Sequence, residues 1–377
     1  MKFLQTLRHW KKQLSHNQPL VTITVDKERL LHNLRLFQHY QAVAPVLKSN
    51  AYGHGLVQVA KILDDQQLPF LVVDSLFEAR TLRAEGIKAK ILVIGFTTVE
   101  NINKVRLQNV SFTITSYEQL EDLAKNLKRK TAIHLKLDTG MHRQGIMLND
   151  LNHAISLLQQ NKNIIVEGIC SHLADADSEE ETFSMEQIRL WNEAVKELKA
   201  VFPTIKYTHL SATAGSFYSK EIDANVMRLG IGLYGINTSL KTNLDLQPVL
   251  EMKTVVSGVR TIQAGEGIGY NLTFKADKQM KIATIPVGYF EGVDRRLSNK
   301  GFFMIKGKPC PIVGRVSMNI STADVSDLPD VKMNDDVLVI SKERSDLNSV
   351  EEIARLCETV PYEILVHIPQ HLRRTVF

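Results

Sequence analysis

The chain has little of several things that would define other classes of protein. Of 377 residues only 3 are cysteine. Cys170, Cys310 and Cys357 are far apart and odd in number, and no CxxC or Cys/His ligand spacing occurs. A disulfide scaffold is excluded, no metal site is expected, and three reduced thiols in a cytoplasmic compartment fit best. There are only 20 glycines and 11 prolines, too few for a collagen-like or low-complexity chain. No run of about 18 apolar residues exists, so no membrane span is expected. Charge of one sign is also scarce: 46 Lys and Arg stand against 41 Asp and Glu, a net +5. Lys2, Arg8, Lys11 and Lys12 fall within residues 1–19, which contain no acid. The rest of the chain is nearly neutral, which argues against a nucleic-acid-binding body. Residues 1–19 read as a basic amphipathic helix or frayed tail. Their apolar stretch is too short, and followed by too polar a segment, for a signal peptide.

What is present fits a globular enzyme with one large and one smaller domain: 44% hydrophobic and 23% charged residues. From about residue 40 short apolar, β-branched runs recur at 42–47, 70–73, 90–94, 111–114, 132–137, 164–169, 207–210 and 225–229. Stretches of helical spacing lie between most of them. Leu56, Val59, Ala60 and Leu63 make one apolar stripe, Leu120, Leu123, Ala124 and Leu127 another. Residues 185–202 carry the longest, with Ile188, Trp191, Ala194, Val195 and Leu198. Strand and helix alternating eight times predicts an α/β fold, a (β/α)8 TIM-type barrel. After about residue 240 the texture becomes mostly β, with strands expected at 252–262, 280–285, 301–305, 311–316 and 337–340 and a helix at 349–356. The expected organisation is a basic extension at 1–19, a barrel at 20–240 and a mostly β C-terminal domain at 241–377.

In such a barrel functional groups gather where strands end. Lys48, Lys136, Arg143, His172, His209 and Arg228 all fall at those points. Alone, each reads as a solvated edge residue or a core histidine. Together they mark one face. Lys48, in VLKSNAYGHG, follows an apolar run. An amine emerging from a low-dielectric interior has a lowered pKa and can form a Schiff base with a carbonyl compound such as pyridoxal phosphate. Tyr52, Gly53 and Gly55 would let a hydroxyl and backbone approach a phosphate, while His54 could simply pack.

VLKSNAYGHG resembles the pyridoxal-phosphate attachment motif of the alanine racemases. KLDTGMHRQG (136–145), RLGIGLYG (228–235), IGYNLTF (268–274), PVGYFEG (286–292), GRVSMN (314–319) and VPYE (360–363) are similar to further motifs of that family, in the family's order. The resemblance covers about residues 20–377. It implies a barrel plus β domain, pyridoxal 5'-phosphate as cofactor, and a cytoplasmic homodimer with shared active sites. It also implies interconversion of L- and D-alanine by two bases, supplying D-alanine for peptidoglycan. By resemblance, Lys48 would hold the cofactor and act as one base, and Tyr270 would be the opposite base, from the partner chain. Tyr52, Thr213, Gly230, Ile231 and Tyr362 match cofactor-phosphate positions, Arg228 the residue facing the pyridine nitrogen, and His172 its neighbour, with His209 in support. Arg143 and the backbone of Met318 match substrate-carboxylate positions. Lys136 resembles the lysine often carbamylated to hold that arginine. Asp177, Tyr289, Arg295 and Arg315 would line the entrance.

Two departures bear on substrate. Asn319 stands where the family usually has Asp, and Asn271 where Gly is common. A serine or broad-specificity amino-acid racemase is therefore an alternative. A pyridoxal-phosphate decarboxylase of the same architecture is another, although Arg228 in place of an acid at the pyridine nitrogen argues against it.

Overall fold

The computed structural model describes residues 19–239, 241 and 244–377; all but the last residue of the extension expected at 1–19 lies outside the described residues. Strand β1 (Thr22–Val25) opens the described chain. The eight expected barrel strands are all present: β2 (Ala42–Pro45), β3 (Leu71–Val73), β4 (Ile91–Val93), β5 (Val110–Ile114), β6 (Thr131–Asp138), β8 (Ile164–Cys170), β9 (Tyr207–His209) and β10 (Val226–Leu229). A two-residue strand, β7 (Ile146–Met147), pairs beside β6. Order β3-β4-β5-β6-β8-β9 is continuous and parallel, β10 pairs β2, and the Val46–Val72 bridge joins β2 to β3. The ring closes through Asn225 N to Thr208 O and Arg228 N to Ser211 O. β3 and β4 are buried along their whole length. That is why they read as unbroken apolar runs: a parallel sheet covered by helices has no wet face.

The outer helices start where capping chemistry allows. Ser75 and Glu78 form a capping box at Leu76–Ala84, and Ser116 accepts from Gln119 N at the start of Tyr117–Asn126. The longest helix, Thr182–Val201, buries Ile188, Trp191, Ala194, Val195 and Leu198, the stripe expected from spacing. No described helix is long and apolar enough to cross a membrane.

The C-terminal part contains β11 (Leu250–Val255), β12 (Gly258–Ile262), β13 (Gly267–Ile268), β14 (Phe274–Lys275), β15 (Met280–Ile285), β16 (Phe302–Ile305), β17 (Lys308–Pro311), β18 (Ser321–Asp324), β19 (Asp336–Ile340) and β20 (Arg373–Val376). The strand expected at 252–262 is two strands, interrupted at Val256–Ser257. The strand expected at 311–316 ends at Pro311, because a turn at Lys306–Gly307 places its pairing residues earlier. β17-β16-β19-β11-β1-β20 form one sheet and β12-β15-β18 another. β1 precedes the barrel in sequence but lies in the C-terminal sheet, antiparallel to β11 and parallel to β20.

Candidate active site

Beyond β2 the chain takes an unusual turn. Ser49, Asn50, Ala51 and Tyr52 have φ of 56°, 56°, 53° and 51°, one turn of left-handed helix made without glycine. Each such residue costs about 1–2 kcal/mol, so the surroundings must hold it. Ser49 N donates to Glu78 Oε1 at 2.8 Å and Leu56 N to Asn50 Oδ1 at 2.9 Å. Arg374, from β20, donates through Nε to Gly53 O at 2.9 Å. Buried His54 bonds through Nδ1 to the carbonyls of Tyr52 and Ala51 at 2.9 and 3.1 Å. Carbonyls only accept, so Nδ1 carries the proton. Burial pulls the His54 pKa down to about 4, which keeps the ring neutral. His54 thus packs, and it also clamps the turn.

The turn presents Lys48 and Tyr52 to a cavity of about 750 Å³ at the C-terminal mouth of the barrel. Lys136, Arg143, His172, Asp177, His209, Thr213, Arg228, Gly230, Ile231 and Tyr362 line the same cavity. Residues from strands β2, β6, β8, β9 and β10 and from the C-terminal part are thereby brought together.

Arg228 is buried and held on four of its five N–H groups. NH1 donates to His209 Nδ1 at 2.6 Å and to His209 O at 2.7 Å. NH2 donates to Ser171 O at 2.6 Å, and lies 3.1 Å from both His172 Nδ1 and Leu210 O. The remaining donor, Nε–H, has no partner among the described residues. Burial lowers the His172 pKa to about 3, helped by the nearby Arg228, Lys136, Arg143 and Lys48 charges. Both histidines are therefore neutral acceptors toward a guanidinium that cannot give up its proton.

Gly230 lies under Tyr52: a Cβ there would sit 3.0 Å from Tyr52 Oη. Thr213 Oγ1 accepts from Gly232 N at 3.1 Å, and the Tyr52 and Tyr362 rings are 5.9 Å apart. Burial raises the Tyr52 pKa, with Tyr362 adding to it, so its hydroxyl stays a donor. These hydroxyls and the glycine backbone suit a phosphate, Arg228 Nε–H suits an acceptor ring nitrogen, and Lys48 suits a carbonyl carbon. The donor set fits pyridoxal phosphate.

At the rim, burial pulls the Lys136 pKa down against the opposing Cys170, and Arg228 and Arg143 push the same way as burial. Its Nζ lies 3.5 Å from Gln144 Oε1. Arg143 has no hydrogen-bond or ion-pair partner among the described residues. Asp138 caps the loop between them, accepting from Gly140 N and His142 N.

Tyr270, Met318, Tyr289, Arg295 and Arg315 do not line this cavity. They gather around one C-terminal loop. Tyr289 N donates to Ser317 O, Val316 N to Ser298 Oγ, and Ser298 Oγ to Arg295 O. A Cβ on Gly269, beside Tyr270, would meet Arg315 N at 3.4 Å. Tyr270 is 70% exposed and Met318 55%. Asn319 does not line the cavity either, and its Nδ2 donates to Glu291 Oε1 at 2.6 Å. Asn271 has φ 62°, a conformation that Gly and Asn reach most readily, so it can serve where glycine would.

Sequence reasoning missed Glu78, Tyr234, Arg374, His134 and Glu167. Tyr234 Oη donates to Val46 O and its ring lies 5.1 Å from Tyr52. Two carried a signal: His134 precedes Lys136 by two residues and so shares its strand face, and Tyr234 lies within RLGIGLYG (228–235).

The chain matches the family models described as alanine racemase N-terminal domain, over residues 25–238, and alanine racemase C-terminal domain, over residues 249–376. A relative from Syntrophobacter fumaroxidans named alanine racemase is 36% identical over 355 residues, 92% of this chain and 94% of its own. Another so named, from Clostridium tetani, is 33% identical over 95% of each chain. Among solved structures, alanine racemase from Bacillus anthracis with bound L-Ala-P superposes with a TM-score of 0.88 at 28% identity, over 96% of each chain. That from Bartonella henselae, with covalently bound pyridoxal phosphate, gives 0.84 at 25% identity, over 96% of this chain and 100% of its own.

Proposed function

The chain belongs to the alanine racemase family, and from that premise we propose how its residues divide the work. It is a pyridoxal-phosphate-dependent isomerase that interconverts L- and D-alanine. Bound in the barrel mouth, the cofactor supplies the electron sink that makes a Cα–H acidic. Lys48 would hold it covalently, and its amine would serve one face of Cα. Tyr52, Thr213, Gly230, Ile231 and Tyr362 hold the phosphate. Arg228, with His172 and His209 fixing its plane, donates to the ring nitrogen and leaves it unprotonated, a weaker sink that favours simple return of the proton.

A second base must reach the other face of Cα. Tyr270 is exposed and outside its own chain's cavity, which supports its entering the cavity of a second copy. The enzyme is then a homodimer in which Met318, Tyr289, Arg295 and Arg315 arrive with Tyr270 as part of the substrate site and entrance, with Asp177 on the barrel side. Arg143 engages the substrate carboxylate. Burial lowers the Lys136 pKa, which favours uptake of carbon dioxide by its amine, and the resulting carbamate would give Arg143 an anion to bind. Asn319 and Asn271 are accounted for by Glu291 and by a left-handed turn, so neither calls for a substrate other than alanine. A cytoplasmic place, supplying D-alanine for peptidoglycan, completes the proposal.

The carrying observation is that Lys48 and Arg228 Nε–H share one cavity from which Tyr270 is absent. Mixing inactive Lys48→Ala with inactive Tyr270→Phe under subunit exchange tests it. One hybrid site then holds both bases and activity returns; none returning despite proven exchange refutes the shared site.

A further inference from the structure

Next to Arg228 lies a cluster of packed rings. His134 and His209 are fully buried and pack with Phe70 at 5.4 and 5.5 Å between ring centres. His134 Nδ1 lies 2.7 Å from His209 Nε2. On its far side His134 Nε2 has no hydrogen-bond partner and lies 3.6 Å from Glu167 Oε2. Glu167 also accepts from Lys90 Nζ and from Ser111 Oγ, each at 2.7 Å.

Glu167 is turned inward by a β-bulge. Ile133 pairs with Val166, and His134 with Gly168, so Glu167 is the extra residue of β8. A bulge re-aims one side chain without ending the strand. Gly168 then leaves room for the imidazole: a Cβ there would fall 2.5 Å from His134 Nδ1.

The proton positions follow from donor chemistry. Arg228 only donates, so His209 Nδ1 must accept and its proton sits on Nε2. That proton can only go to His134 Nδ1, so His134 carries its own proton on Nε2, facing the Glu167 carboxylate. Every proton points from the cavity toward Glu167. In the opposite tautomer His209 would set Nδ1–H against an Arg228 N–H at 2.6 Å, donor against donor. The guanidinium would have to move, and Nε–H with it.

We propose that Glu167 and His134 are positioning residues: through His209 they fix the direction of the hydrogen-bond chain that aims Arg228 Nε–H at the ring nitrogen of the cofactor. This rests on the reading of Arg228 as that nitrogen's neighbour. The carboxylate is suited to its place: burial works against its charge, but the hydrogen bonds from Lys90 and Ser111, with the His134 ring close by, outweigh it and hold its pKa at about 2. It stays charged at any working pH.

The test is nitrogen NMR of histidine-labelled holoenzyme, with steady-state kinetics. In the unaltered protein His134 and His209 should both carry the proton on Nε2. Glu167→Gln can present an amide N–H to His134. It should shift His134 toward the Nδ1–H form and lower kcat by about 10- to 100-fold, the scale for losing an outer partner of a functional group. KM should stay within about twofold on the same argument, and Glu167→Asp should restore part of kcat. Ser111→Ala, a milder change, should still move the His134 ring signals, which keeps the test open if Glu167→Gln does not fold. Nδ1–H on either histidine of the unaltered enzyme would overturn the proposal. So would a folded Glu167→Gln with unchanged tautomers and kcat, or His134 signals unmoved by Ser111→Ala. Failure of the unaltered protein to bind cofactor or racemise alanine would instead overturn the function itself.

Discussion

Lowering the pH from 7.5 to 5 should strip the protein of much of its stability, because its buried histidines are held neutral. Burial sets the folded pKa of His54 at about 4, and burial with the neighbouring arginines and lysines sets that of His172 at about 3, against 6.5 for a free imidazole. Folded values below the unfolded one mean that the unfolded chain binds more protons once pH drops under 6.5. Their contribution is fully present above that pH and is lost as pH falls toward the folded values. At about 1.4 kcal/mol per pKa unit, each ring withdraws about 2 kcal/mol by pH 5, and the pair about 6 kcal/mol by pH 4. Burial shifts His134 and His209 the same way. Since whole domains are stable by about 5–15 kcal/mol, unfolding in mild acid is expected. Urea unfolding followed by circular dichroism from pH 8 to pH 4.5 measures this. Near pH 5 the free energy should fall by at least about 2.7 kcal/mol per pH unit, two protons' worth, and His172→Gln should remove one proton from that slope. A stability flat between pH 7.5 and 5, or a slope unchanged by His172→Gln, would refute the reasoning.

Three further outcomes are expected. Tyr270→Phe should cut racemisation by about 10²-fold or more, the scale for losing a positioned base; in deuterated water it should slow Cα exchange of L-alanine while Lys48 still exchanges that of D-alanine, and equal slowing of both would count against the two-base assignment. Gly230→Val would set a branched side chain against Tyr52 Oη, where even a Cβ comes within 3.0 Å; cofactor titration by absorbance should show affinity down by about tenfold or more, with secondary structure kept. Ser49→Gly should relieve left-handed strain of about 1–2 kcal/mol against a glycine entropy cost of about 0.5–1 kcal/mol, so the melting temperature should rise slightly, and a clear fall would show that the turn is not strained.

Much of the barrel was legible because its signals are local. Each strand lies in a mostly apolar run that needs no knowledge of its neighbour, and the intervening helices show their own period, some with a side-chain cap. Lys48, Tyr52, Arg228 and Gly230 were legible as members of motifs a few residues long. The C-terminal strands were read less well: the short pieces β13, β14 and β18 have no alternation long enough to register, and Lys306–Gly307, where the turn was, looked like one break among several.

What tertiary structure alone decided is everything that depends on residues distant in the chain. β1 is four residues of ordinary β-branched sequence, and its place is set by β11 and β20, where Thr22 pairs with Lys253 and Arg373. The left-handed turn after Lys48 is made of Ser, Asn, Ala and Tyr, none of which asks for it strongly; Glu78 and Arg374 hold it from outside. Glu167 looks like one more polar residue on a strand until the register of β8 against β6 shows it to be a bulge pointing inward. The direction of the protons from Arg228 to Glu167 exists only once four side chains from four strands meet. A sequence carries periodicity, caps and motifs within a few residues, whereas register, tautomer and strain are properties of contacts between segments, and only the folded chain contains them.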